Sequence, residues 1–479
     1  MLFNSLSFAI FLPIVFLIYW AAPKKARYVI LLISSYYFYM SWNVRYVVLI
    51  LFTTIVSYFC ALLCEKEVSE KKKKLWVILA VISSLSVLFF FKYFNFTFES
   101  IQRLADLIKI PLHTPTLNLM LPVGISFYTF QTLSYVADVY NKKVSAEKNF
   151  FLYAAFISFF PQLVAGPIER TENLLPQIKS DHVFTYEEGS YGARLMAWGF
   201  FKKLVIADNM AAFADVIFED PTSYTGSVLI FAILFFTIQI YCDFSGYSDI
   251  AIGTARLFDI KLMRNFESPY FAISMQDFWR RWHISLSTWF RDYVYIPLGG
   301  SRRGRIRSYV NLIITFTLSG LWHGAAFKYV AWGLLHGIAQ CVEKIFKLNT
   351  RKNDEVKSPV KTALRRVCVF LTAAALWCFF RANSLKQALY FFANMFKGAL
   401  HPVNYVLTGL SFFDARLLCF MILPLILLFL FDKRALKSDP LKDITGLKAG
   451  VRWIIYVLFF LLFMLLASFN SKEFVYFKF

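Results

Sequence analysis

The chain has 479 residues, 58% of them hydrophobic and 17% charged, with a mean hydropathy of +0.55. That balance excludes an ordinary soluble globular protein and points to the membrane. The formal net charge is +21, but the basic residues gather in short loops beside apolar runs: Lys24-Lys25-Ala26-Arg27, Lys71 to Lys74, Arg302-Arg303-Gly304-Arg305-Ile306-Arg307, and Lys344 to Arg366. The positive-inside rule accounts for such a pattern, and nucleic-acid binding does not.

In chain order, apolar stretches suited to a hydrocarbon core of about 30 Å run over Leu6–Trp20, Tyr28–Met40, Val44–Leu63, Leu75–Phe91, Phe150–Pro167, Val228–Tyr241, Val367–Phe380, Leu417–Phe431 and Trp453–Leu466. They predict an all-α polytopic membrane protein of about eleven transmembrane helices with re-entrant segments. The first stretch lacks a basic n-region and a small-residue cleavage site, so it reads as a retained helix. The lysines after it place that loop in the cytoplasm. No polar connection is long enough to bury a core of its own. The expectation is one integral membrane domain over 1–479, with supporting helices in 1–120 and 346–479 and a catalytic core in 121–345. Within that core, Leu121–Tyr128 and Pro161–Arg170 carry prolines and glycines that break helices. Polar and helix-breaking residues at membrane depth are tolerated around a cavity, which places the cavity in the middle of the chain. The seven cysteines mostly sit in apolar runs without paired spacing, so neither a disulfide framework nor a metal site is expected.

Three blocks carry chemistry. The run from Asn311 to Phe327, NLIITFTLSGLWHGAAF, contains one group that titrates near neutrality, His323. Burial favours the neutral form of an imidazole, which can take a proton from an attacking hydroxyl. Gln276 to Gly300 has the period of an amphipathic helix. Such a helix would turn His283 and Ser287, one turn apart, to one face, where a second imidazole would orient a reacting group. Gln239 to Ile250 places Asp243 and Asp249 in an apolar helix. They are expected to pair with Arg256, Arg264 or Arg280 and fix the packing, or else to orient a histidine from behind. His336 lies about 140° from His323 on an unbroken helix and reads as structural unless Gly324 breaks it. His113, His182 and His401 read as solvated.

In this order the motifs LPVGISFYTFQTLSY, PQLVAGPIER, QIYCDFSGYSDIAIG, NFESPY, FWRRWHISLSTWFRDYVYIPLGG and LSGLWHGAAFKYVAWGLLHG resemble the membrane-bound O-acyltransferase superfamily over nearly the whole chain. The resemblance is closest to its bacterial alginate and peptidoglycan O-acetyltransferase branch, related to the teichoic-acid D-alanyl transfer protein. It implies a helical ring around a funnel or tunnel, with the family's near-invariant histidine at His323 and its second, helix-borne polar residue at His283. Trp279, Trp282 and Trp322 would wall the passage, and Asp243, Asp249 and Arg280 would stand behind the site. No bound cofactor is implied. The donor would be an acyl-CoA or acyl-carrier thioester drawn to Arg280, Arg281 and the Arg302–Arg307 cluster. The resemblance implies residence in the bacterial cytoplasmic membrane, in contact with lipid. The acyl group, acetyl ahead of D-alanyl, would pass to an envelope polysaccharide or a partner protein, with an SGNH-type acetyltransferase as the expected extracytoplasmic partner. The rival readings are a transporter or flippase, which the lack of internal repeats disfavours, and a scaffold that recruits a soluble acyltransferase.

Overall fold

A computed structural model describes residues 1–164, 166–348, 358–469 and 474. The middle of the Lys344–Arg366 basic run, Ala165 of the PQLVAGPIER motif and most of the last ten residues lie outside the described residues. All the described secondary structure is helical. Among the described residues, six helices are long and apolar enough to cross a membrane: Val44–Lys66, Glu70–Leu107, Ser227–Arg256, Pro359–Arg381, Ala415–Ala435 and Ala449–Leu466. The chain is thus a multi-pass membrane protein. Three expected spans take another form. The stretch at 6–20 makes a helix of 16 residues, Leu6–Ala21, shorter than a full span. The stretch at 28–40 makes a helix of 14 residues, Arg27–Met40, about 21 Å long at 1.5 Å per residue and too short to span alone. The stretch at 150–167 breaks into Phe150–Ser158 and Phe160–Leu163 around Phe159.

The chain packs as two compact units. The first comprises Met1–Ala193 and Ala251–Met263. Here the two proline- and glycine-rich motifs meet. Gly124, at φ +77°, starts the Ile125–Tyr140 helix, and a Cβ on it would lie 2.5 Å from the Leu163 carbonyl oxygen. Only glycine meets both conditions. Glu169 is fully buried and accepts from the Asn173 side chain and the Met263 backbone, each at 2.6 Å. Burial pushes its carboxyl up to about 7. One expectation fails in this unit. His182 is buried rather than solvated, with Nε2 2.7 Å from the Gln177 carbonyl and Nδ1 3.4 Å from Asp259. The fold brings its ring to Tyr19, with centroids 6.5 Å apart. His113 and His401 are exposed.

The second unit comprises Arg194–Ile250 and Arg264–Phe479 and holds His283, His323 and His336.

Candidate active site

His323 is the last residue of the Arg305–His323 helix, and the chain turns at Gly324 into the Phe327–Ile345 helix. The two helices form a hairpin whose closeness depends on glycine. A Cβ on Gly320 would lie 2.1 Å from the Tyr329 carbonyl oxygen, and one on Gly333 would lie 2.2 Å from that of Phe316. One on Gly324 would meet the Tyr329 ring at 2.1 Å. Small residues at such crossings let membrane helices approach backbone to backbone. Gly320→Ala or Gly333→Ala should therefore part the hairpin, since a backbone carbonyl cannot swing aside. The expected cost is about 1–3 kcal/mol from overpacking, together with displacement of His323. The thermal unfolding midpoint in detergent should fall, and unchanged stability would contradict this close approach.

The break at Gly324 also settles the position of His336. Its ring and that of His323 both pack on Trp332, at centroid distances of 4.8 and 5.1 Å. Trp279 donates its indole N–H to His336 Nδ1 at 3.2 Å.

The 276–300 block is not the single amphipathic helix expected. It is helical over Met275–Arg281, extended at Trp282, left-handed at His283 (φ 43°, ψ 54°), then helical again over Ile284–Phe290, with a π-helical turn at Arg291–Tyr295. Ser287 therefore does not share a helical face with His283. Its backbone N–H bonds the His283 carbonyl at 3.0 Å, and its hydroxyl donates to the Trp282 carbonyl at 3.2 Å. Residues distant in sequence hold the break. The Asn265 backbone carbonyl accepts from the Ile284 N–H at 2.9 Å, and its Oδ1 accepts from the Ser285 hydroxyl at 2.6 Å. Glu343 accepts from the Met275 and Gln276 N–H groups, starting the first short helix. A left-handed non-glycine residue costs about 1–3 kcal/mol and persists only when its surroundings enforce it.

The result is an aromatic cluster that encloses three imidazoles, His283, His323 and His336. His283 and His323 are 0% and 4% exposed, and their ring centroids are 6.5 Å apart. Phe244 meets His283 edge to face at 4.6 Å. Trp322 lies 4.9 Å from His323 and 6.3 Å from His283, and Phe380 lies 5.4 Å from His323. Trp279 packs on Trp332 and His336, and Trp282 on Trp377 at 4.8 Å.

Asp243 and Asp249 form their close ion pairs with lysines rather than with the arginines expected. Lys203 Nζ sits 2.6 Å from Asp243 and 2.9 Å from Asp208, and Lys202 Nζ sits 2.5 Å from Asp249 and 2.9 Å from the Ser245 hydroxyl. Arg256 bonds Glu188, Arg264 bonds Asp439 at 2.9 Å, and Arg280 is exposed. Lys202 and Lys203 lie on a π-helical stretch, Phe201–Ala207, a backbone form found often at functional places. Sequence reading passed over them, although two adjacent lysines inside FFKKLVIA are the signal that would have found them. The Arg302–Arg307 cluster is exposed, with Arg305 and Arg307 on the first turn of the Arg305–His323 helix rather than in a loop.

Enclosed imidazoles beside a wall of apolar rings suit proton transfer in a place from which water is excluded. The model of the MBOAT, membrane-bound O-acyltransferase family, matches residues 32–392. A probable alginate O-acetylase AlgI of Pseudomonas putida is 39% identical over 83% of this chain and 80% of its own length. A peptidoglycan O-acetyltransferase of Helicobacter pylori is 38% identical over 81% of this chain and 78% of its own. A teichoic acid D-alanyltransferase of Bacillus subtilis is 28% identical over 50% of this chain and 63% of its own. The chain belongs to the membrane-bound O-acyltransferase family and is an O-acyltransferase.

Proposed function

We propose that this enzyme moves an acetyl group from a cytoplasmic acyl-CoA or acyl-carrier thioester across the bacterial inner membrane to a hydroxyl of an envelope polysaccharide or a partner protein. The observation that carries the reading is the pairing of His323 with His283 inside one closed aromatic cluster. His323 takes the proton from the acceptor hydroxyl as its oxygen bonds to the thioester carbonyl carbon. The carbon–sulfur bond then breaks, and the imidazolium returns the proton to the departing thiolate. His283 orients the reacting groups. Trp279, Trp282, Trp322 and Ser287 line the passage. Asp243 and Asp249, held by lysines, and Arg280 support the site from outside it. About eleven helices would ring a funnel at whose base this happens, within a core spanning 121–345. Acetyl is preferred because the O-acetyl-transferring relatives named above share more of this chain, at higher identity, than the D-alanyltransferase does. Transfer to a polymer outside the membrane calls for an extracytoplasmic partner, for which an SGNH-type acetyltransferase is the candidate.

The direct test supplies purified protein with acetyl-CoA, a D-alanyl carrier thioester and a hydroxyl acceptor, and follows the ester formed. Acetyl ester formation that disappears in His323→Ala supports the reading. D-alanyl ester alone would replace the acetyl assignment, and no ester from either donor would sink it. The donor also makes an electrostatic prediction. Charge reversal at Arg303 and Arg305 should raise the apparent KM for acetyl-CoA, and added salt should do the same to the wild type. Turnover indifferent to both would leave those arginines as topology signals alone.

A further inference from the structure

When an acceptor oxygen bonds to a thioester carbonyl carbon, the electron pair leaving the C=O double bond gathers on the carbonyl oxygen. Fixed N–H groups aimed at that oxygen are usually the largest single contribution to the rate of acyl transfer. With His323 taking the hydroxyl proton and His283 orienting the reacting groups, those N–H groups must come from elsewhere in the cluster.

The Phe327–Ile345 helix supplies two. Trp332 and His336 lie one turn apart on it, so their side chains share a face. Their rings meet edge to face, 4.8 Å between centroids at 75°, and Trp332 meets the His323 ring the same way at 5.1 Å and 89°. Both residues are 0% exposed. Trp279 fixes where His336 carries its proton. An indole nitrogen only donates, so the Nδ1 that receives the Trp279 N–H at 3.2 Å is bare, and the ring's one proton sits on Nε2. Neither that Nε2–H nor the Trp332 indole N–H finds an acceptor among the described residues. An unmet buried N–H is costly, and a fold that keeps two of them on one helix face beside a base has a use for them.

We infer that the Trp332 indole N–H and the His336 Nε2–H bind the oxygen of the acyl carbonyl and hold it as it becomes an oxyanion beside His323. The inference rests on the acyl-transfer reading above, which supplies the thioester and the role of His323. The acceptor oxygen forms its bond to the carbonyl carbon and gives its proton to His323, while the carbonyl π pair moves onto the carbonyl oxygen. The two N–H groups meet that oxygen there, and neither gives up its proton. When the pair returns, the carbon–sulfur bond breaks and the thiolate leaves with the proton that His323 held. A carbonyl oxygen has two lone pairs, which matches two N–H groups. Both groups are neutral, so they place no standing charge at membrane depth. Dipoles already fixed in a place without water act strongly and need no rearrangement during the reaction. Trp279 acts behind them, by holding His336 in the tautomer that donates.

Two amides at position 336 separate the two ring nitrogens. The asparagine amide reaches the place of Nδ1 and can still accept from Trp279, whereas the glutamine amide reaches the place of Nε2 and can still donate to the substrate. His336→Asn should lower kcat for acetyl ester formation by about 10²–10³-fold, the usual loss for one such N–H group, and leave KM for acetyl-CoA little changed. His336→Gln should recover much of that loss. Trp332→Phe keeps a ring against both imidazoles, removes the N–H and should lower kcat in the same way. The infrared band of the acetyl carbonyl, in acetyl-CoA isotopically labelled at that carbon, gives a readout without turnover. On the wild type the band should lie below its frequency in buffer, and in His336→Asn and Trp332→Phe it should move back. Activity that survives in the asparagine variant and fails in the glutamine variant would make His336 a packing partner of Trp279 and overturn the inference. Unchanged kcat in Trp332→Phe and His336→Asn would overturn it as well. A lowered carbonyl band in a protein that forms no ester would leave the two N–H groups standing and count against the acyl-transfer reading.

Discussion

Replacing His323 with alanine should lower acyl transfer by about 10²–10⁴-fold, the range associated with a positioned general base, while the protein still inserts and folds. The imidazole lies against Trp322, Trp332 and Phe380, so its removal also leaves a space. His323→Gln, closer in shape, separates the two effects. A base that has been lost is lost in both variants, whereas a packing defect is largely repaired by glutamine. His283→Ala should act differently. Its backbone is left-handed beside the bond from the Ile284 N–H to the Asn265 carbonyl, and its ring, 6.5 Å from His323, is the proposed positioning group, for which losses near 10²-fold are typical. The measurement is single-turnover ester formation from acetyl-CoA, alongside the unfolding midpoint of each variant. If the His323→Gln variant regained activity, or if both alanine variants failed to fold, the histidines would be structural.

How much of this was legible depended on how far apart in sequence the causes lay. The membrane class and the prominence of His323 follow from local runs: a single imidazole in an otherwise uncharged, largely apolar stretch from Asn311 to Phe327 needs no partner to be noticed. The close hairpin is also local, because Gly320, Gly333 and Gly337 fall where two antiparallel helices cross. The break at His283 is not. Residues 276–300 have good helical periodicity, and at the interruption the chain is held by hydrogen bonds from Ile284 and Ser285 to Asn265. Periodicity within a window cannot see a clamp from outside it. The aspartate partners were misassigned for a related reason. Basic residues near apolar runs were read as topology signals, and the lysine pair at 202–203 was passed over although no loop surrounds it. Span counting met a third limit, since hydropathy marks apolar character and not length. A stretch such as 28–40 qualifies by composition and then forms a helix too short to cross.

The lysine pair gives the largest expected effect on stability. Lys203, Asp208 and Asp243 have side chains no more than 3% exposed, and the ammonium stands between the two carboxylates at 2.9 and 2.6 Å. Breaking a buried pair by removing one partner typically costs about 3–5 kcal/mol, because the remaining charge stays desolvated and uncompensated. Lys203→Met strands two carboxylates and should be the most damaging single change in the network. Asp243→Asn removes one charge, leaves Lys203 with Asp208, and should cost less. Adding Asp208→Asn and Asp243→Asn to Lys203→Met removes every stranded charge, so the triple variant should recover much of the lost stability. That recovery is a non-additivity which only direct contact produces. Function should follow the same order. Asp243 is adjacent to Phe244, whose ring meets His283 edge to face at 4.6 Å, so loosening the Ser227–Arg256 helix at this point lets His283 shift. Lys203→Met should thus lower the rate of ester formation in protein that is still folded, by less than His323→Ala does. Unfolding midpoints of the wild type and these variants in one detergent, with ester formation measured below those midpoints, test both statements. A Lys203→Met protein within about 0.5 kcal/mol of the wild type, the usual range for surface changes, would show that this pair does not hold the fold, and the path from Lys203 to His283 would go with it.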